Sequence, residues 1–382
     1  MKKAILMTML PFVLSAVGAD GAASAPALLT LDSPSAHLAI DPAGGGIVDF
    51  HLAGNDLNPL SWDSWNPANA KPGDTPPTPR TRGHFLCCDR WGQPDAADKA
   101  LGIGPHGEAP RSNWSVDQPT KDAGNSLTAV MSVKMPLAGM SVRREIELHK
   151  SAAVFSVRET VINENTHGRI YNMVQHPSIG LPFLSEETLV DSNATHGIIP
   201  VREGSKQEPK MIQWPKATDS KGASVDLRHI DSTGDPVMSS FIFDDKDEYA
   251  WATAASPSKG LLIGYLWKST EYPWINMWRR SQNGKVYARG LEFGTTGLEV
   301  PFADLVKEGS LLGRPLFLYV DTKQSASRQY ACFLASIPAD FTGVANLTYD
   351  GKSIVMKPRS AGQANLTINT GDLFPLQGSK QE

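Results

Sequence analysis

Three short stretches hold side chains able to move protons or grip a polar ligand. The first reads Gly104-Pro105-His106-Gly107-Glu108-Ala109-Pro110-Arg111-Ser112-Asn113-Trp114. It sets a histidine, a glutamate, an arginine and a tryptophan on a loop bounded by Gly and Pro, and loops held by a rigid sheet are where binding residues concentrate. The second is His176-Pro177. Proline cannot donate to a sheet ladder and so marks a strand's end or edge, where an imidazole is well set for proton transfer. The third, Gly290-Leu291-Glu292-Phe293-Gly294-Thr295, places a carboxylate inside an apolar strand with glycine on either side. Each has a plainer reading as well. A histidine at a strand end can be an ordinary half-buried polar residue, and a glutamate between Leu and Phe can face solvent.

The elements that would position these groups read as strands. In Val154–Ile162 the β-branched and aromatic residues are dense enough for a strand buried on one face and partly on the other. Asn163-Glu164-Asn165 and His167-Gly168 supply turn chemistry, and the chain resumes at Ile170 as the second member of a strand pair. Period-2 alternation then puts Ile170, Asn172, Val174 and His176 on one face. Further strands are expected at Ala36–Ile40, Gly46–Leu52, Ser126–Met135, Met140–Leu148, Val237–Phe243, Ala250–Ala254, Gly260–Trp267, Lys285–Phe293, Pro315–Asp321 and Asn346–Met356. Helical periodicity is confined to Phe302–Glu308 and Ser325–Ile337. Many strands with Gly and Pro between them imply an all-β sandwich or barrel with few short helices. No repeat of fixed period argues for a propeller or solenoid. Pro59–Arg82, with Trp62 and Trp65, reads as a long ordered loop over the sheet, and Leu184–Ala223 as a polar region with one strand at Gly197–Val201.

The chain of 382 residues is long enough for a sizeable core. A net charge of −4 gives no electrostatic footprint for nucleic acid or an anionic membrane. Lys2-Lys3, the short apolar run Ala4 to Val17 and Val17-Gly18-Ala19 have the anatomy of a signal peptide over residues 1–19. The mature protein is therefore expected to be periplasmic or secreted, without a membrane span, as one domain over residues 27–372 and a polar tail over 373–382. Cys87 and Cys88, adjacent in a strand, must point to opposite faces, so at most one could meet Cys332. We expect no disulfide, because a sandwich of this size has core enough without one. Three cysteines without a second ligand cluster leave no metal site to expect.

Taken in order, the His-Gly loop with Trp114, the strand pair with Asn163 and its closing His-Pro, Ile275-Asn276-Met277-Trp278 and the Leu-Glu strand resemble the aldose 1-epimerase (galactose mutarotase-like) family. The resemblance covers roughly residues 40–320. It implies a large antiparallel β-supersandwich. It makes Glu292 the catalytic base and His176 the catalytic acid, with His106 binding substrate. Ring opening of a hemiacetal takes the proton from the anomeric O1 hydroxyl while O5 gains one, work for a carboxylate and an imidazole on opposite sides of the sugar. Neither metal nor redox cofactor is needed. Trp114, Trp274 and Trp278 are candidates for stacking on the sugar or for the core. Trp278 joins Arg90 and Arg111 in the expected substrate-binding set, although Arg82 and Arg90 equally read as surface charges. Asp244 and Asp245 lie where an acidic hydroxyl-binding residue would fall. Where the family has an aromatic after the second histidine, this chain has Ser178.

The reading that follows is an exported enzyme interconverting the α and β anomers of a free small-molecule sugar. Two alternatives are a carbohydrate-binding sandwich without turnover, and a hydrolase or lyase on the same fold. Paired carboxylates across the groove would favour a hydrolase. The mild charge argues against a phosphosugar unless Arg82, Arg90 and Arg111 share one pocket.

Overall fold

The computed structural model describes residues 27–65, 70–71, 73–200 and 209–374. The expected signal peptide lies outside the described residues. Two large antiparallel sheets face one another, one of thirteen strands and one of eight. Their facing surfaces bury a continuous core that includes Phe50, Met131, Phe155, Met173, Trp267, Phe293 and Tyr330. Among the described residues, helix is limited to Ala96–Ala100, Phe302–Glu308 and two single turns, and no helix is long and apolar enough to cross a membrane.

The strand that carries His176, Arg169–Ile179, lies inside the larger sheet between His84–Asp89 and Lys285–Gly294, the strand that carries Glu292. Trp274–Gln282 pairs with the far side of the glutamate strand. Alternation along the histidine strand sends Tyr171, Met173 and Gln175 into the core between the sheets. Val174 and His176 point to the other surface, where Phe85, Cys87 and Trp91 gather. The expected strand pair is real as two strands but not as a hairpin. Val154–Asn163 belongs to the eight-stranded sheet, so Glu164–Gly168 carries the chain across to the other layer. Asn163 makes that crossing possible by donating to the carbonyls of His167, Val320 and Asp321.

Other expectations change with tertiary context. Phe302–Glu308 is a helix as expected, but Ser325–Ser336 is a strand, paired on one edge with Leu261–Lys268 and on the other with Val154–Asn163. Its even positions Tyr330, Cys332 and Leu334 enter the main core, while Ala331 and Phe333 enter a second cluster. A strand buried on both faces has no apolar–polar alternation to read. Asn346–Met356 divides into Val344–Tyr349 and Ser353–Pro358 around Asp350-Gly351, where Asp350 accepts from the Lys352 and Ser353 amides. These two strands and Leu366–Asn369 form a small sheet that packs on the outer face of the eight-stranded one. Leu373 and Phe374, expected to begin a polar tail, are buried there, and residues 375–382 lie outside the described residues. The region after Leu184 holds more strands than expected, because Leu189–Ser192, Lys210–Gln213 and Lys216–Thr218 are too short to show a period. Cys87 and Cys88 do face opposite ways, and all three cysteines are buried free thiols.

Candidate active site

Register brings the two proton-transfer candidates together. Ser178 pairs with Gly290 and Gln175 with Phe293, which sets His176 level with Glu292 on the next strand, both on the surface away from the core. His176 Nε2 lies 3.2 Å from Glu292 Oε1. The two groups thus share one side of the site instead of flanking a ligand from opposite sides as expected, because adjacent strands carry them. Glu292 is fully buried and His176 is 5% exposed, so the pair forms the floor of a cleft of about 490 Å³.

The surroundings hold each group in place. Trp91 Nε1–H donates to Glu292 Oε2 at 2.7 Å, leaving Oε1 without a hydrogen-bond donor among the described residues. Its contact with His176 is close but out of line for a hydrogen bond. Gly290 makes the carboxylate's position possible, since a Cβ there would come within 2.8 Å of Oε1 and 2.9 Å of the Trp278 side chain. His176 stacks on Phe85 with ring centroids 4.3 Å apart, and its Nδ1 meets Ser178 Oγ at 2.9 Å. Ser178, standing where the resemblance expects an aromatic, therefore orients the imidazole. Burial acts on both members of the pair. It pushes the Glu292 carboxyl well above the usual carboxylate range, against the Trp91 hydrogen bond, which pulls it down. It pushes the His176 imidazole well below 6.5, helped by the charge of His106 when protonated.

His106 stands across from His176, ring centroids 5.2 Å apart and nearly perpendicular. Its backbone takes the left-handed φ of +64° that non-glycine residues seldom adopt. The amide of Gly92 donates to Nδ1 and the His106 amide donates to the Gly92 carbonyl, which fixes the loop against the strand end. With Nδ1 accepting, the neutral ring carries its proton on Nε2. Burial and the Arg111 guanidinium lower its pKa to about 4, so the ring is neutral at physiological pH.

Of the residues expected to bind substrate, His106, Arg111 and Trp278 line the cleft. Arg90 does not. It turns away to pair with Asp98 and Asp89 and lies over the Phe302 ring, since two carboxylates within reach outbid an open cleft for its charge. Arg82 likewise pairs with Asp41 and Asp63. Trp114 is a core residue beneath the Arg144 guanidinium, and Trp274 is buried with its indole N–H on the Pro315 carbonyl. Asp245 pairs with Arg314 beside a separate small pocket that Asp244 also lines. Among the described residues no group of three or more His, Cys, Asp or Glu side chains is disposed to hold a metal ion.

Sequence reading missed Trp91, Phe85, Arg280, Tyr287 and Glu299, which also line the cleft. For Trp91 a signal existed, an aromatic immediately after a strand and ahead of Gly92. Tyr287 has none. The pairing passes from Arg280–Ala288 to Ser281–Val286, and this bulge leaves Tyr287 as the extra residue and re-aims it. Trp62 and Pro77, Pro79 and Arg80 confirm the expected loop over the sheet as a wall of the cleft.

Comparison with known proteins agrees with this architecture. A profile described as a domain of unknown function, DUF4432, matches residues 89–303, a span that includes His106, His176 and Glu292. No curated protein matches the chain. Among solved structures, a candidate aldose 1-epimerase from Klebsiella pneumoniae superposes with a TM-score of 0.59 at 16% identity, covering 82% of this chain and 80% of its own. A galactose mutarotase related enzyme from Lactobacillus acidophilus gives 0.57 at 13% identity, over 82% and 98%. A galactose mutarotase-like protein from Clostridium acetobutylicum gives 0.57 at 15% identity, over 81% and 95%. At such identities the likeness is one of fold, and it is the fold that the resemblance in the sequence implies. The chain belongs to the DUF4432 family and has the galactose mutarotase-like β-sandwich fold.

Proposed function

We propose that this protein is an exported aldose 1-epimerase-like enzyme that interconverts the α and β anomers of a free sugar. The observation that carries the reading is the contact between His176 and Glu292 on the floor of an open cleft. O1 and O5 are both bonded to C1, so the base for one and the acid for the other must be neighbours, as these two are. In the acting form Glu292 is a carboxylate and His176 an imidazolium. Glu292 Oε1 takes the proton from the O1 hydroxyl, the C1–O5 bond breaks, and His176 Nε2 protonates O5. The pair is then neutral on both members, the state that burial favours. Rotation about C1–C2 presents the other face of the aldehyde. The steps then run backwards: His176 takes its proton back from O5 and Glu292 gives its proton up to O1, with no net change.

Burial sets the pH dependence. The acting form needs Glu292 ionised and His176 protonated, while burial raises the first pKa and lowers the second. With the two in reversed order, activity falls below the His176 value on the acid side and above the Glu292 value on the alkaline side. Trp91→Phe removes the donor that opposes the shift. The plateau of the kcat/KM profile is therefore expected to fall and its alkaline limb to move to higher pH, as polarimetry between pH 4 and pH 9 would show; an unchanged profile would exclude this role of the indole.

His106 Nε2–H is free to donate to a sugar hydroxyl. His106→Ala is expected to raise KM more than it lowers kcat, since a bond made equally in ground and transition states contributes uniform binding. Equal falls in kcat and kcat/KM would instead place His106 in the chemistry. The export part of the proposal is separate, and N-terminal sequencing of the exported fraction is expected to begin near Asp20. An intact Met1 there would contradict it.

One observation favours a second reading. Glu299 lines the same cleft, accepts from the Gln93 amide at 3.0 Å, and its charge raises the Glu292 pKa. Two carboxylates in one groove are the equipment of a glycosidase. Release of nitrophenol from aryl glycosides, without faster mutarotation of free sugars, would favour the hydrolase. Polarimetry on freshly dissolved anomers decides between the two.

A further inference from the structure

The cleft holds a charge that the proposed chemistry does not use. Three arginines line it: Arg80, Arg111 and Arg280. Arg80 is closed off by Asp63, which accepts from its Nε and Nη2 at 2.8 and 2.7 Å. Among the described residues neither Arg111 nor Arg280 has a carboxylate in ion-pairing range, and both are exposed to the cleft. The acids on the same lining do not offset them. Glu292 and Glu299 are both held toward their neutral forms by burial.

Both guanidiniums are positioned. Arg111 follows Pro110 in a single helical turn, and a Cβ on Gly104 would fall 2.3 Å from its Nε, so the glycine backbone lies flush against it. Its charge is close enough to depress the neighbouring His106. Arg280 shares the surface of Trp278 and lies over the Tyr287 ring, 5.7 Å from the centroid. It stands four residues, about 13 Å, along the strand from Asn276, the partner of Glu292. Beyond it a second pocket of about 230 Å³ shares Ser64, Arg280 and Tyr287 with the cleft and is lined also by Trp65, Gln282 and Asp74, whose carboxylate is not in ion-pairing range of Arg280.

We propose that the ligand is an anionic sugar whose C5 substituent, beside the ring oxygen, ends in a carboxylate or a phosphate ester. This rests on the epimerase reading for its orientation. If His176 protonates O5, the substituent on C5 lies on the His176–His106 side, where Arg111 stands. Arg280 adds to the same field from the sheet side. A guanidinium held in place and free of carboxylates suits an oxyanion better than a hydroxyl. Of the arginines foreseen as a possible anion site, Arg82, Arg90 and Arg111, the first two are held by carboxylates of the chain itself; Arg111 and the unforeseen Arg280 are the ones left.

Calorimetry with the mature chain tests this, using glucose, galactose, glucuronate, galacturonate and glucose 6-phosphate. At least one anionic sugar is expected to bind about tenfold or more tightly than its neutral parent, roughly what one charge-assisted hydrogen bond supplies. In Arg111→Gln/Arg280→Gln that ratio is expected to fall close to one, and in the double Lys variant to recover in part. A response to the uronates alone identifies a carboxylate, and one to glucose 6-phosphate alone a phosphate ester. Equal binding of neutral and anionic sugars, or a preference that survives the double Gln variant, overturns the inference while leaving epimerase activity intact. Anionic preference without mutarotation would overturn the epimerase reading and keep this one. Binding of none of the five overturns both.

Discussion

Glu292→Gln and His176→Ala are each expected to lower kcat on the preferred sugar by at least about a hundredfold, the usual loss when a positioned general base or acid is removed. The amide cannot take the O1 proton, and alanine leaves O5 without a donor. Because O1 and O5 exchange protons in one event, the double variant should be little worse than either single one. Polarimetry on purified single anomers gives the rates. Sugar binding by the Gln variant, measured separately, should stay near wild type, since glutamine keeps the shape and an acceptor oxygen. Two outcomes would sink the assignment. One is a Gln variant with undiminished kcat. The other is a wild-type protein that binds sugar yet never speeds mutarotation above the spontaneous rate, which would make the cleft a binding site only.

The second large effect is on stability. Behind the histidine strand, a chain of buried polar groups crosses the sandwich. Arg144 Nε donates to Glu159 Oε1 at 2.7 Å, and Gln175 Nε2 donates to Glu159 Oε2 at 2.5 Å. Gln175 in turn meets His84 Nε2 at 3.1 Å and the Tyr272 hydroxyl at 3.1 Å. Arg144 also donates to the Gly45 carbonyl and lies 4.3 Å over the Trp114 ring. Glu159 is fully buried and Arg144 is 1% exposed. Glu159→Ala would leave a buried guanidinium without its counterion and the Gln175 amide with only one of its two acceptors, the Tyr272 hydroxyl. Such a change costs about 3–5 kcal/mol. Urea denaturation is expected to show a lower midpoint with an unchanged slope. A loss below about 1 kcal/mol, the range of exposed pairs, would mean that water already serves these groups. Since Gln175 precedes His176, a partly folded Glu159→Ala protein should also lose activity, through the position of its strand.

The network shows where sequence reading reaches its limit. Alternation alone placed Asn172, Val174 and His176 on one surface, and so put Gln175 on the other. It could not say that Gln175 meets a glutamate from the opposite sheet, because that contact depends on how two layers are docked. The same holds for Arg90. A basic residue beside a candidate loop is compatible with a ligand or with an ion pair, and only the helix Ala96–Ala100, which delivers Asp98, chose the second.

The sequence by itself determined the all-β class, most of the strands, the helix Phe302–Glu308, and the residue types that could perform acid–base chemistry. Those features follow from local rules: period-2 alternation, turn residues, and strand breakers such as Pro177. The tertiary structure decided what those rules leave free. Ser325–Ser336 became a strand because neighbours on both edges satisfy its backbone and both its faces are buried. His176 and Glu292 came within 3.2 Å because two strands more than a hundred residues apart in sequence are adjacent in one sheet. Trp114 went to the core and Tyr287 to the cleft because a stacked arginine claimed the first and a bulge turned the second. Pairing partners, register and bulges are long-range choices, settled by the packing of whole sheets, and no window of sequence contains them.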